Sequence, residues 1–217
     1  MANALFNLDE TDRLLSTTRA VRRRLDLERP VERKVILDCI HLSQQAPTAS
    51  NTQKWRWMVV MDKELRAGIA EIYGRGKQFL DQARAAIDVD DKQTHRVYDS
   101  AEWLIDHLHE VPCLVIPCIE GRLPEGSPNG MAAAVYGSIY PAMWSFQLAL
   151  RSRGLGSALT TIHLFYEQEV AKLLGIPEDV MQTALLPVGY TLGTDFKIAA
   201  RLAPVLAHPP NEACGVR

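Results

Sequence analysis

A chain of 217 residues, 47% hydrophobic and 23% charged, carries enough apolar material for one sizeable core. Its formal net charge of −2 gives no global pull toward nucleic acid or a membrane surface, so any cationic site must be local. The opening MANALFNLDETDRLL lacks a basic region followed by an apolar run, and Cys39, Cys113, Cys118 and Cys214 form no CxxC pair or finger spacing; a cytoplasmic protein with reduced thiols is expected.

Leu8 to Thr17 has a short helical pattern that Asp9 or Thr11 can cap, and the basic run Arg19-Ala20-Val21-Arg22-Arg23-Arg24 follows. Val31, Val35, Ile36, Cys39, Ile40 and Ser43 share one helical face, predicting an amphipathic helix over 31–46 that Pro47 stops. The polar stretch APTASNTQK (46–54) then runs straight into WRWMVVM (55–61), whose aromatic and β-branched residues predict a buried strand. A helix is expected over 63–73 and another over 93–109. The mixed segment Gly74–Asp91 between them carries no readable period.

CLVIPCI (113–119) reads as a second buried strand. Gly126 to Leu150 contains no charged residue, but Ser127, Asn129, Ser138, Ser145, Gln147 and two prolines make it a poor membrane span. A helix over 131–153 is expected, packed on several sides, one of them against a second copy of the chain. Gly154-Leu155-Gly156 ends it and 157–161 is extended. A helix over 167–174 is stopped by Gly175 and Pro177, and TALLPVGY (183–190) is a third strand. Few strands, far apart and in irregular alternation with helices, predict a single α+β domain over 1–217 with a small mixed sheet flanked by helices.

Common catalytic motifs are missing. There is no GxSxG elbow or phosphate-binding glycine loop ending in Lys-Ser or Lys-Thr, and the GxG at Gly154 follows a helix, not a strand. His107 and His109 are two apart, so on a helix they face different ways and cannot share a metal; no metal site is expected. His163 is open between lining a site and packing. No side chain stands out as acid, base or nucleophile, so a cofactor must carry any reaction.

Three polar segments remain. Thr18–Arg24 would ordinarily be a solvated face, yet Ala20 and Val21 interrupt its arginines, and guanidinium forks suit phosphate oxygens. Thr48, Ser50, Asn51, Thr52 and Gln53 can pair with a ligand edge of mixed donors and acceptors. Thr160-Thr161-Ile162 follows a glycine turn where backbone amides can converge on one acceptor, with Arg201 in the tail. Together these parts suggest flavin mononucleotide.

The order of the segments carries a resemblance. An RSVR-like segment (Arg19–Arg22), a helix ending in AP[ST]xxNxQPW (here APTASNTQKW), a GLGS turn (154–157), an LLGIP stop (173–177), a strand ending in Gly189-Tyr190 and an Arg201-Leu202 tail resemble the FMN-dependent nitroreductase family. The resemblance implies a nitroreductase-like fold and an intertwined homodimer with FMN at the subunit interface. It implies phosphate and ribityl contacts at Arg19, Ala20, Arg22 and Arg201. It implies an approach to the other subunit's flavin by Pro47, Thr48, Ala49 and Asn51, and backbone donors near flavin N5 at Thr160, Thr161 and Ile162. The implied activity is ping-pong: NADH or NADPH gives a hydride to flavin N5, and a nitroaromatic, quinone or similar electron-poor acceptor is then reduced. An FMN-storing or sequestering protein with little turnover is the alternative. The chain departs from the pattern at Ala20 (usually serine), Thr18 and Ala199 (often basic) and Lys54 (usually proline before Trp55), with Arg24 or Lys197 as compensating cations.

Overall fold

The computed structural model describes residues 5–199 and residue 201; Leu202 and Cys214, named above, lie outside the described residues. The sheet is built on β2 (Cys113–Glu120), whose two-residue alternation feeds two cores. Leu114, Ile116 and Cys118 enter one, with Ile69 and Tyr73 of α3 (Lys63–Arg75), Leu104 of α5 (Lys92–His107) and Val170 of α7 (Glu167–Leu174). Cys113 and Val115 enter the other, with Ile36 and Ile40 of α2 (Arg33–Ser43) and Ile139, Met143 and Phe146 of α6 (Asn129–Arg151). Helices therefore cover both faces of one sheet. The same burial pushes the Cys113 and Cys118 thiols up to about 12, leaving them as inert apolar filling.

The strand order is β1 (Trp55–Val60), β2, β5 (Leu186–Tyr190), β3 (Leu155–Ser157), with β4 (Val180–Gln182) also on β2. The sequence pattern predicts a mixed sheet; every pairing among the described residues is antiparallel. Long helical connections permit a parallel crossover without requiring one. Here α3, α4 (Lys77–Ala85) and α5 instead return the chain alongside β1 in the opposite sense. The expected strand over 183–190 starts only at Leu186 because the register on β2 shifts by one residue between the pairing of Cys118 with Gln182 and that of Val115 with Leu186. Thr183, in the gap, donates its amide and hydroxyl to the Pro117 carbonyl at 3.0 and 2.7 Å. α4 and the three-residue β4 had no readable signal.

α1 (Leu8–Thr17) is capped by Asn7, whose side chain accepts the Glu10 amide, one residue before the expected start. α6 buries Ser138, Ile139, Ala142, Met143, Phe146 and Gln147 along one stripe. Tyr140 and Trp144 on its other side remain exposed in the single chain. Among the described residues no helix is long and apolar enough to cross a membrane.

Candidate active site

The arginine segment runs along the free edge of β3. The Val21 amide donates to the Ser157 carbonyl at 2.8 Å, and Leu25 bridges Thr191. This approach depends on Gly156, where a Cβ would lie 2.8 Å from Thr191 Cγ2 and 2.9 Å from Val21 Cβ. With Val21 and Leu25 buried as anchors, the arginines between and beside them stand over a cavity of about 400 Å³ that Phe196 and Lys197 also line.

Their commitments differ. Arg24 pairs with Asp195 at 2.6 Å and donates twice to the Leu192 carbonyl, so it fastens the tail. Arg23 donates to the Asp99 carbonyl of α5 at 3.0 Å, and Arg19 donates weakly to the Lys197 carbonyl at 3.3 Å. Arg22 is half-buried, and its guanidinium makes no hydrogen bond or ion pair within the described residues. Desolvation pulls its pKa down, partly offset by the neighbouring Tyr73. A desolvated, unneutralised cation stabilises nothing in the protein alone. Arg24 is thus engaged, whereas Lys197 lines the same cavity with no ion pair among the described residues.

The Thr160-Thr161-Ile162 segment lies beside the arginine segment, joined to it through Tyr73. Thr160 exchanges backbone hydrogen bonds with Leu185, at 3.0 and 2.8 Å, so its amide is committed and cannot serve a ligand as expected. Its hydroxyl instead hydrogen-bonds the Tyr73 hydroxyl at 2.8 Å. The amides of Thr161 and Ile162, at the open start of a 3-10 turn over Ile162–Tyr166, have no main-chain acceptor among the described residues. Ile162 sits on Gly76, where a Cβ would fall 2.2 Å from Ile162 Cγ2, and Phe165 stacks on Phe79 of α4 with centroids 3.9 Å apart. The unreadable segment 74–91 thus supplies a helix that leans on the turn.

Tyr73 is the participant the sequence reading missed. It lay in an apolar helical stripe, and the available signal was that a buried tyrosine needs a partner for its hydroxyl. Burial raises its pKa, so it stays protonated and neutral. His163 is also fully buried, with neither ring nitrogen hydrogen-bonded within the described residues, and burial lowers its pKa to about 4. His107 is singly hydrogen-bonded, to the Trp103 carbonyl at 2.8 Å, and no cluster of metal-ligating groups occurs among the described residues.

The polar loop stands apart. Pro47, Ala49 and Asn51 are exposed and Thr48 half-buried, in a loop with no described hydrogen bond to either of the other two segments. Ser138 of α6 holds it: its hydroxyl accepts the Ala49 amide at 2.9 Å, and its carbonyl accepts the Trp55 indole N–H at 2.7 Å. Ser50, Asn51 and Gln53 all have positive φ, near 50°. Arg201 is exposed and makes no described contact.

A family model described as Nitroreductase family matches residues 15–190. The chain belongs to the nitroreductase family. Iodotyrosine deiodinase of Thermotoga neapolitana is 28% identical over 179 residues, covering 81% of this chain and 86% of that protein. A putative NADH dehydrogenase/NAD(P)H nitroreductase of Archaeoglobus fulgidus is 27% identical over 84% of this chain and 86% of its own length. Among solved structures, oxidised iodotyrosine deiodinase bound to FMN and 3-iodo-L-tyrosine superposes with a TM-score of 0.67 at 24% identity, over 90% of this chain and 96% of that one. The FMN-dependent nitroreductase NfnB of Mycobacterium smegmatis, in complex with NADPH, gives 0.65 at 18% identity, over 93% and 100%. At those identities the structures establish a shared nitroreductase fold.

Proposed function

We propose that this nitroreductase-family chain is an FMN-dependent oxidoreductase that passes two electrons from NADH or NADPH to an electron-poor acceptor. The observation that carries the reading is Arg22: a half-buried guanidinium without a partner among the described residues, beside Arg19 and Lys197 in one cavity, fits a phosphate-bearing anion. Arg19 and Lys197 would hold the phosphate, and Arg22, beside Tyr73 and the Thr160 turn, would lie along the ribityl chain toward the ring. The open amides of Thr161 and Ile162 would face the ring system. Arg201 belongs to the same proposed contact set by family resemblance.

When bound, FMN supplies the two-electron relay between nicotinamide and acceptor that no side chain of this chain can provide. The protein positions and tunes. Arg22 would supply fixed positive charge to a reduced, anionic ring, and the Tyr73–Thr160 hydrogen bond braces the turn that carries the amide donors. For a nitroarene the overall change is ArNO2 + NAD(P)H + H+ → ArNO + NAD(P)+ + H2O.

The loop of Pro47, Thr48, Ala49 and Asn51 is largely exposed and makes no described hydrogen bond to its own chain's arginines, and Tyr140 and Trp144 on α6 lie exposed. Both features support a homodimer in which each loop reaches the other subunit's flavin. The free, buried Cys39, Cys113 and Cys118 suit a reducing, cytoplasmic setting. Reductive dehalogenation of a halogenated phenol is a second reading of the acceptor step, favoured by the likeness to the Thermotoga neapolitana deiodinase.

Anaerobic mixing of the FMN-loaded protein with NADPH or NADH tests the proposal. Rapid bleaching of the flavin band followed by reoxidation with a nitroarene or quinone is expected, with iodophenols run in parallel. Persistent oxidised colour would point to the storage role instead, and a subunit mass without dimer would remove the loop's assigned partner.

A further inference from the structure

One charge beside the polar loop, that of Lys54, has no ion pair among the described residues. A cavity of about 310 Å³ is lined by Ser50, Thr52, Lys54, Glu120 and Arg122 together with the α6 stretch around Ser138. Glu120 is neutralised by Arg56. Arg122 grips Glu167 at 2.9 Å and the Glu178 carbonyl at 2.7 Å. Lys54 alone among the charged groups of that cavity has no ion pair or side-chain hydrogen bond within the described residues.

Its base is nonetheless immobile. The Lys54 carbonyl accepts the Glu120 amide at 2.9 Å, and the next residue, Trp55, is buried with its indole on Ser138. The loop before it is held through Ala49 to the same serine. A compact ammonium on a four-carbon stem therefore pivots from a fixed point over a small cavity lined by apolar Ile119, Ala134 and Val135 as well as Ser50 and Thr52.

We propose that Lys54 makes this cavity selective for an anionic aromatic acceptor, a one-ring carboxylate. The inference deepens the flavin reading and rests on it, since the loop bearing Lys54 is the one assigned to the partner's flavin. The size points to a single ring, because the volume lies at the small end of ligand pockets, roughly 300–1,000 Å³. The sign follows from the pairing: every other charge lining the cavity is already matched, so a carboxylate meets net positive potential and an ammonium-bearing ligand is repelled.

The matched probes are 4-nitrobenzoate and 4-nitrobenzamide, alike in ring and nitro group and different in charge. Calorimetric titration of the oxidised, FMN-loaded protein without nicotinamide should show the benzoate binding about tenfold tighter at low salt, the advantage shrinking in high salt. Lys54→Gln should abolish the advantage while leaving benzamide affinity within about twofold, and Lys54→Glu should reverse it. The ratio of kcat/KM for the two nitro compounds should move in parallel. Equal affinities in the unmodified protein, no benzoate binding, or a Lys54→Gln change that weakens both probes alike would each overturn the assignment. NADPH bleaching recorded on the same samples separates the two failures. A flavin-loaded protein that bleaches but ignores charge sinks only the role of Lys54, whereas a protein without flavin sinks the oxidoreductase reading itself.

Discussion

Lowering the pH from 7.5 to 5 should destabilise the fold through His163. The residue is fully buried, its ring nitrogens have no partner among the described residues, and burial lowers its pKa from 6.5 to about 4. The folded state therefore binds its proton less readily than the unfolded chain. Stability is complete above the unfolded pKa and is lost as the pH falls from 6.5 toward 4. At about 1.4 kcal/mol per unit, the linkage amounts to about 2 kcal/mol between pH 7.5 and 5. Urea midpoints followed by tryptophan fluorescence in excess FMN would measure it, against a His163→Leu variant. Because the imidazole leaves both nitrogens unpaired, that variant should match or exceed the unmodified protein at pH 7.5. Its acid loss should be smaller by about 2 kcal/mol. An unchanged acid limb in His163→Leu would refute the argument and move the pH dependence to other groups.

Arg22→Ala should weaken FMN binding by about tenfold or more and lower the flavin's reduction potential, read by fluorescence titration and by equilibrium with reference dyes; full occupancy at an unchanged potential would remove Arg22 from the site. Gly76→Ala forces a methyl onto Ile162, and a loss of about 1–3 kcal/mol is expected in thermal or urea unfolding, with weaker flavin retention because the displaced residue belongs to the amide-bearing turn. Trp55→Phe removes the indole bond to the Ser138 carbonyl while keeping most of the buried ring, and should cost about 1 kcal/mol while loosening the 47–54 loop, visible as faster proteolysis there.

What could be read from the sequence was what local chemistry decides. α7 begins at Glu167 and ends at Leu174 as expected because Gly175 takes the left-handed conformation, with φ 66°, that terminates a helix, and Pro177 follows it. β1 and β2 were legible as strands from composition; β2 is buried almost throughout, whereas β1, at the sheet edge, buries only Trp55 and Val60 and exposes Arg56. The strand directions were not, since a connection of three helices is compatible with either sense. The arginine segment was visible as a run. Which of its members is free was not, because Asp195, Asp99 and the Leu192 carbonyl that occupy Arg24 and Arg23 come from distant parts of the chain. Tyr73 was hidden for the same reason: its hydroxyl partner is 87 positions away.

The polar loop shows where local chemistry and tertiary structure divide the work. Its sequence contains the residue types that tolerate turns, yet three non-glycine residues, Ser50, Asn51 and Gln53, hold φ of 52°, 53° and 48°. Left-handed backbone costs an L-residue of this kind roughly 1–2 kcal/mol, so the loop would relax unless something over-determined it. Within the chain that something is Ser138, which takes the Ala49 amide on its hydroxyl and the Trp55 indole on its carbonyl, bracketing the strained residues between two anchors. Yet Ser50, Asn51 and Gln53 themselves remain exposed, so the anchoring secures the shape without burying the loop's own polar groups. A loop fixed at this cost and left exposed is in keeping with the proposed surface beyond its own chain. The strain marks a shape worth holding, the proposal gives that shape a neighbouring subunit's flavin to meet, and Lys54, fixed at its end, is the residue through which the loop would choose its acceptor.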